Sequence, residues 1–248
     1  MPAFALPEPE VDMTDRNRRF RSRLTAVEAA RALHLDFEGF KNGPPVFAGV
    51  RVDGGWTATV FGDVAPDLVP AAEAKGLPVA TLDAFLDKTA EWAVAEDRVV
   101  TGFSTREFMV FEERGVAADH LRSRFVNLLP LGRRWRRETH PAAEARVKAV
   151  RARRKRSGRW VGGHGNTLLD FAKLLEAPRR ASYGKGCTTS RLRHVMTQVE
   201  RRGDFSRLTP TAKGKWTRVL QHNETDCLWS SLLAEAGASG DAGAEVDR

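Results

Sequence analysis

Asp36 and Glu38 stand two residues apart at the end of an apolar run, Leu33-His34-Leu35-Asp36-Phe37-Glu38. If this run is a strand, a period of two puts both carboxylates on one face. Two like charges so close repel unless a cation bridges them. Carboxylate oxygens suit hard Mg²⁺ or Mn²⁺ better than zinc. The competing reading is a strand end that simply emerges into solvent. A third acid, Glu107, opens the stretch Glu107-Phe108-Met109 after the apolar segment Val99–Phe103. In a helical first turn it would point to the carboxyl edge of a sheet, where open α/β sheets place ligands, or it would merely satisfy the helix dipole. His222 and Asp226 lie four apart, so on a helix they share a face. Val219 and Trp229 would carry that face inward, and a buried Asp needs a partner or a metal. The plain alternative is a surface His–Asp pair.

These residues need elements to position them. Thr25-Ala26-Val27-Glu28 has capping-box spacing for a short helix. Leu33–Phe37, Val46–Val52 and Trp56–Phe61 read as strands, the last two joined by Asp53-Gly54-Gly55, which is hairpin chemistry. Leu82, Phe85, Leu86, Ala90, Ala93 and Val94 follow helical spacing behind a Thr81 cap. A strand at Val99–Phe103, helices at Thr105–Arg114 and near 117–123, and a strand at Phe125–Leu129 follow. Pro141–Arg156, Leu168–Leu175, Ser190–Arg201 and Thr211–Ala236 read as helices. Leading strands followed by alternating helix and strand imply an α/β fold, a mixed sheet flanked by helices.

Charge divides the chain. Residues 133–159 hold 12 Lys+Arg and 2 Asp+Glu, a local +10, while the rest holds 28 basic and 30 acidic residues. The excess that gives the whole chain its +8 therefore belongs to one segment, which favours a polyanionic partner over generic solubility. The expected phosphate-contacting residues are Arg133, Arg134, Arg136, Arg137, Arg151, Arg153, Arg154, Lys155, Arg156 and Arg159. Trp135 and Trp160, with Tyr183, would stack on unpaired bases, which points to a single-stranded end of DNA or RNA. The competing reading is a solvated, mobile loop. Gly162-Gly163-His164-Gly165-Asn166 lacks the lysine and spacing of a phosphate loop.

Composition excludes other classes. With 42% hydrophobic and 29% charged residues the chain is globular rather than disordered. No apolar run of about 18 residues suggests a membrane span. The N-terminus turns acidic without a basic region or long apolar stretch, so a secretory signal is not expected. Cys187 and Cys227 form neither a disulfide framework nor a zinc pattern, which fits the reducing cytoplasm. The expected organisation is a basic flexible arm over 1–24, an α/β domain built from 25–132 and 187–236, a basic insertion over 133–186, and a disordered tail over 237–248.

The order of the motifs resembles the DEDD exonuclease branch of the ribonuclease H-like superfamily, close to predicted bacterial exonucleases whose second motif carries Glu. The strand motif D-x-E is matched by Asp36-Phe37-Glu38, the second by Ser104 to Phe108 with Glu107 as the acid, and the last by His222 before Asp226. Phe125-Val126-Asn127-Leu128-Leu129 and Thr189-Ser190-Arg191-Leu192-Arg193 echo two further segments, with Asn127 where the family usually has a structural Asp. His222 sits at the four-residue spacing of the tyrosine subgroup, and Gln221 occupies the five-residue position of the histidine subgroup. The resemblance implies a ribonuclease H-like fold and a metal-dependent 3′-to-5′ exonuclease. Asp36, Glu38, Glu107 and Asp226 would hold two Mg²⁺ or Mn²⁺ ions about 4 Å apart, one for the attacking water and one for the leaving oxygen. His222 would orient or deprotonate that water. The alternative is a nucleic-acid-binding module of the same fold without catalysis.

Overall fold

The computed structural model describes residues 20–116, 118–157, 165–179 and 187–239. Helix α1 (Ala26–Arg31) begins with the expected capping box: Thr25 accepts from the Glu28 N–H, and Glu28 accepts from the Thr25 N–H. Strands β1 (Leu33–Gly39), β2 (Pro45–Val52) and β3 (Gly55–Phe61) form an antiparallel meander. Asp53 and Gly54 turn between β2 and β3 with φ of 49° and 78°. Positive φ at both turn residues matches the twist of the flanking strands, which is why Asp-Gly is favoured there.

After β3, a 3₁₀ turn (Pro66–Leu68) and α2 (Val69–Glu73) lead to β4 (Val79–Ala80), which pairs in parallel at the outer edge of β3. Helix α3 (Leu82–Ala95), capped by Thr81, crosses to β5 (Val100–Gly102), which lies parallel beside β1. Helices α4 (Arg106–Arg114) and α5 (Ala118–Arg122) precede β6 (Phe125–Asn127), parallel to β5. The sheet order is β4-β3-β2-β1-β5-β6, a mixed six-stranded sheet.

Helices α6 (Leu128–Thr139), α7 (Pro141–Arg156), α8 (Leu168–Leu174), α9 (Thr188–Arg202) and α10 (Pro210–Ser239) complete the chain. Alternation on β1 and β2 divides the core. Leu33, Leu35, Ala48 and Val50 face one side and pack with Phe85, Phe108 and Phe111 of α3 and α4. Phe47, Ala58 and Val60 face the other and pack with Trp216 and Val219 of α10 and Leu192 and Val195 of α9. A third cluster joins Leu24, Val126, Leu131, Trp135, Phe171 and Leu233, and so ties α6, α8 and the far end of α10 to the same sheet face.

Five expectations change, the first being that the tail expected from 237 begins later, because α10 runs to Ser239 and buries Gly237 and Ala238. The strand expected over Phe125–Leu129 stops at Asn127, because the Asn127 side chain accepts from the Leu129 N–H and caps α6. Pro130 then falls in the first helical turn, where its missing N–H has no intrahelical role. The expected arm does not extend to residue 24: Leu24 is buried, and the Phe20 ring meets Phe108 and Phe125 at 4.7 and 5.3 Å. The expected boundary at 132 falls inside α6, and Trp135 and Phe171 from the supposed insertion share the core with Leu233 of α10. Trp135 and Arg136 are therefore not phosphate- or base-contacting surface residues, being 7% and 2% exposed. Arg136 pairs with Glu144 at 2.7 Å, donates to the Gly165 carbonyl and to Asn166, and lies over the Phe171 ring. Arg159, Trp160 and Tyr183 lie outside the described residues, as does most of the glycine-rich stretch.

Candidate metal centre

The site is built around β1, the strand flanked by β2 and β5. Asp36 and Glu38 alternate with Leu35 and Phe37, so the two acids face α10 while the apolar pair faces α3 and α4. Across the ladder, Asp36 is paired with Gly49 and Glu38 with Phe47 of β2. Gly49 has no side chain for a physical reason: a Cβ there would overlap Asn223 Oδ1. Asn223 fills that space. Its Nδ2 donates to Asp36 Oδ2 at 2.8 Å and to the Asp36 carbonyl at 3.0 Å. Trp56 Nε1 donates to Asn223 Oδ1 at 3.1 Å, which fixes which way the amide points. One fully buried side chain thus locks α10 to β1 at the first acid.

On either side of Asn223 in α10, His222 and Asp226 project toward Glu38. His222 Nε2 and Asp226 Oδ2 are 3.3 Å apart, with side chains 11% and 15% exposed. One ligand atom each from Glu38, His222 and Asp226 lies within 4.8 Å of the others. These are two hard oxygen donors and one imidazole, a donor set that suits a divalent cation.

Glu107 arrives from the other side. It stands in the first turn of α4 and folds over Gly102, where a Cβ would come within 2.8 Å of the Glu107 Cβ. Its Oε2 accepts from the Ser104 N–H and Oγ–H, both at 3.0 Å. That fixes the carboxylate near enough to bear on Asp36 electrostatically. A cleft of about 270 Å³ opens beside Glu38 and Glu107, with Phe40, Lys41, Arg106 and Thr189 on its walls.

The electrostatics follow from burial and like charge. Burial raises the Asp36 carboxyl well above the usual carboxylate range, and Glu38, Asp226 and Glu107 push it further, against the Asn223 amide. Burial and then Asp226 raise Glu38 to about 8. Burial also raises Glu107, opposed by its hydrogen bonds at Ser104. His222 moves the other way: burial, then the Arg191 charge, lower it to about 4, so its imidazole is neutral at pH 7. Burial and the charges of Asp36 and Asp226 push the Cys227 thiol up, so it is no thiolate nucleophile.

All five sequence-predicted site residues therefore come to one end of the sheet: Glu38, His222 and Asp226 closest together, Asp36 beside them on Asn223, and Glu107 across from Asp36. Asn223 escaped the sequence reading although it sits between His222 and Asp226. Its signal would have been the small residue opposite Asp36, which becomes visible only once the β1–β2 register is known. Asp170, a further acid on a helix, lies outside this cluster and completes a capping box with Thr167 at the start of α8. Comparison with family models, curated proteins and solved structures finds no match to the chain. Among the described residues, no helix is long and apolar enough to cross a membrane.

Proposed function

We propose that the chain is a divalent-metal-dependent nuclease of ribonuclease H-like architecture, acting as a 3′-to-5′ exonuclease. The carrying observation is the convergence of Asp36, Glu38, Glu107, His222 and Asp226 from β1, α4 and α10 on one end of a mixed sheet. An antiparallel β1–β3 meander followed by parallel β5 and β6 supports that architecture. Mutually repelling, partly buried acids disfavour their own ionisation, and a hard cation is the group that reverses this.

Asp36, Glu38, Glu107 and Asp226 would hold Mg²⁺ or Mn²⁺, two ions on this reading. Bound there, they would supply an activated water and neutralise charge on a phosphodiester. The chain's own residues do the rest. Asn223 holds the Asp36 carboxylate in one orientation through two hydrogen bonds. Ser104 does the same for Glu107. His222, neutral at pH 7, is able to accept a proton at the edge of the acid cluster. Lys41 and Arg106 beside the cleft offer positive charge to a substrate phosphate.

The test is a melting curve with and without Mn²⁺, followed by digestion of an end-labelled oligonucleotide. Mn²⁺ should raise the melting temperature, and label should be released stepwise from the 3′ end. Binding without cleavage in Mn²⁺ would assign the inactive nucleic-acid-binding module instead, and absence of any metal effect would remove the metal centre.

A further inference from the structure

Among the described residues, helix α7 is attached along one side only. Its inner line, Ala143, Val147 and Val150, is partly buried, with Glu144 paired to Arg136 of α6 and Val147 against Gly165. No residue of α7 is fully buried. At 3.6 residues per turn, the line opposite consists of Ala142, Ala145, Ala149 and Ala152, all exposed. Arg146 and Arg153 flank this low ridge on one side, Lys148 and Lys155 on the other, and all four are exposed. Arg153, Arg154, Lys155 and Arg156 crowd the last turn.

We propose that α7 is a docking element for double-stranded DNA that enters the major groove. This deepens the nucleic-acid part of the functional proposal and is independent of its chemistry. Cations on both flanks with small side chains between them match a partner that presents negative charge on two walls and space in the middle. A helix with side chains is about 10–12 Å wide, and the B-form major groove is about 12 Å wide and bounded by phosphates. The sixteen residues span about 24 Å, enough to follow the groove over several base pairs. A single strand offers only one line of phosphates and binds by base stacking, yet α7 carries no aromatic residue and Trp135 is buried. The A-form major groove of duplex RNA is too narrow to admit the helix. An anionic membrane is disfavoured because the outward ridge holds alanines and then Arg156, with nothing large and apolar to enter lipid.

Fluorescence anisotropy of the full chain in chelator tests this with a short DNA duplex, the matching RNA duplex, single-stranded DNA and anionic phosphatidylserine vesicles. The DNA duplex should bind about tenfold more tightly than either other nucleic acid. Arg146→Gln with Arg153→Gln, and separately Lys148→Gln with Lys155→Gln, should each reduce the salt slope on duplex DNA by about 1.8. Ala149→Trp should weaken duplex binding without weakening single-strand binding, because its ring blocks the groove but is free to stack on an unpaired base. All are exposed positions, and circular dichroism on the same samples confirms that the helix is retained. Equal affinity for single strands or RNA duplex, a slope change from one flank only, or a preference for the vesicles would overturn the proposal. No cleavage is read in chelator, so failure of the nuclease proposal leaves these outcomes intact.

Discussion

Glu38 shows how a single buried acid shapes the site. Its carboxyl is raised from an ordinary 4.5 to about 8 by burial and by Asp226. In metal-free protein its stability contribution is therefore full below about pH 4.5 and is lost as pH rises through about 8. Asp36 acts in the same direction. We expect the melting temperature in chelator to fall from pH 5 to pH 8, and Glu38→Gln to flatten that fall, an effect on the order of a few kcal/mol. In Mn²⁺ the same variant should lose both metal stabilisation and cleavage, and an unaltered Mn²⁺ shift would place the cation elsewhere. His222 admits two roles that one variant separates. As a proton acceptor, its replacement in His222→Ala should keep the Mn²⁺ shift in melting temperature and lower turnover about 10²–10⁴-fold. If the Mn²⁺ shift disappears as well, the imidazole is a ligand alongside Glu38 and Asp226.

At the scale of elements, the site depends on how closely α10 approaches β1 and β2. Gly49 sets that distance, because a side chain there meets Asn223. Gly49→Ala should cost about 1–3 kcal/mol by overpacking and should also disturb Asp36, so that denaturation and Mn²⁺ titration shift together. A loss of stability with a wild-type Mn²⁺ response would show that Asn223 only packs. Close approach recurs between α6 and α10, where Gly132 meets Leu233 and Gly237 meets Leu131. The two neighbouring arginines of α6 make a second test. Arg136 is buried with Glu144, whereas Arg137 is exposed. Arg136→Ala should destabilise the fold by about 3 kcal/mol or more. Arg137→Ala should leave stability within about 0.5 kcal/mol in the same urea titration.

The whole molecule is one sheet with a core on each face, and the basic segment is part of it. Trp135 and Phe171 lie in the same cluster as Val126 and Leu233. Excising 133–186 would expose Leu131, Leu233 and Ala234 and remove half of α6. We therefore expect the excised chain to lose cooperative unfolding and to bind a hydrophobic dye. A folded, cooperatively melting product would mean that the segment is an appendage after all. The charge distribution has a whole-molecule consequence too: the cations project from α7, while the acids gather at the end of β1. If the proposed function holds, affinity and chemistry would be carried on separate surfaces.

The sequence by itself determined the local features, because these depend on neighbours in the chain. The Thr25 box, the Thr81 cap and the Asp53-Gly54 turn are satisfied by residues within a few positions. Strand period two placed Asp36 and Glu38 on one face, and helical period placed His222 beside Asp226. Only tertiary structure decided which long-range gaps those residues fill. Leu128-Leu129-Pro130-Leu131 reads equally as the end of a strand, and α6 is recognisable only from its Asn127 cap and its packing on Leu233. Asn223 and Gly49 are 174 positions apart, and neither is informative without the register that brings them together. Arg136 and Arg137 are the same residue type one position apart. Burial against Phe171 and Glu144 makes the first structural and leaves the second in solvent, because successive helical positions point about 100° apart.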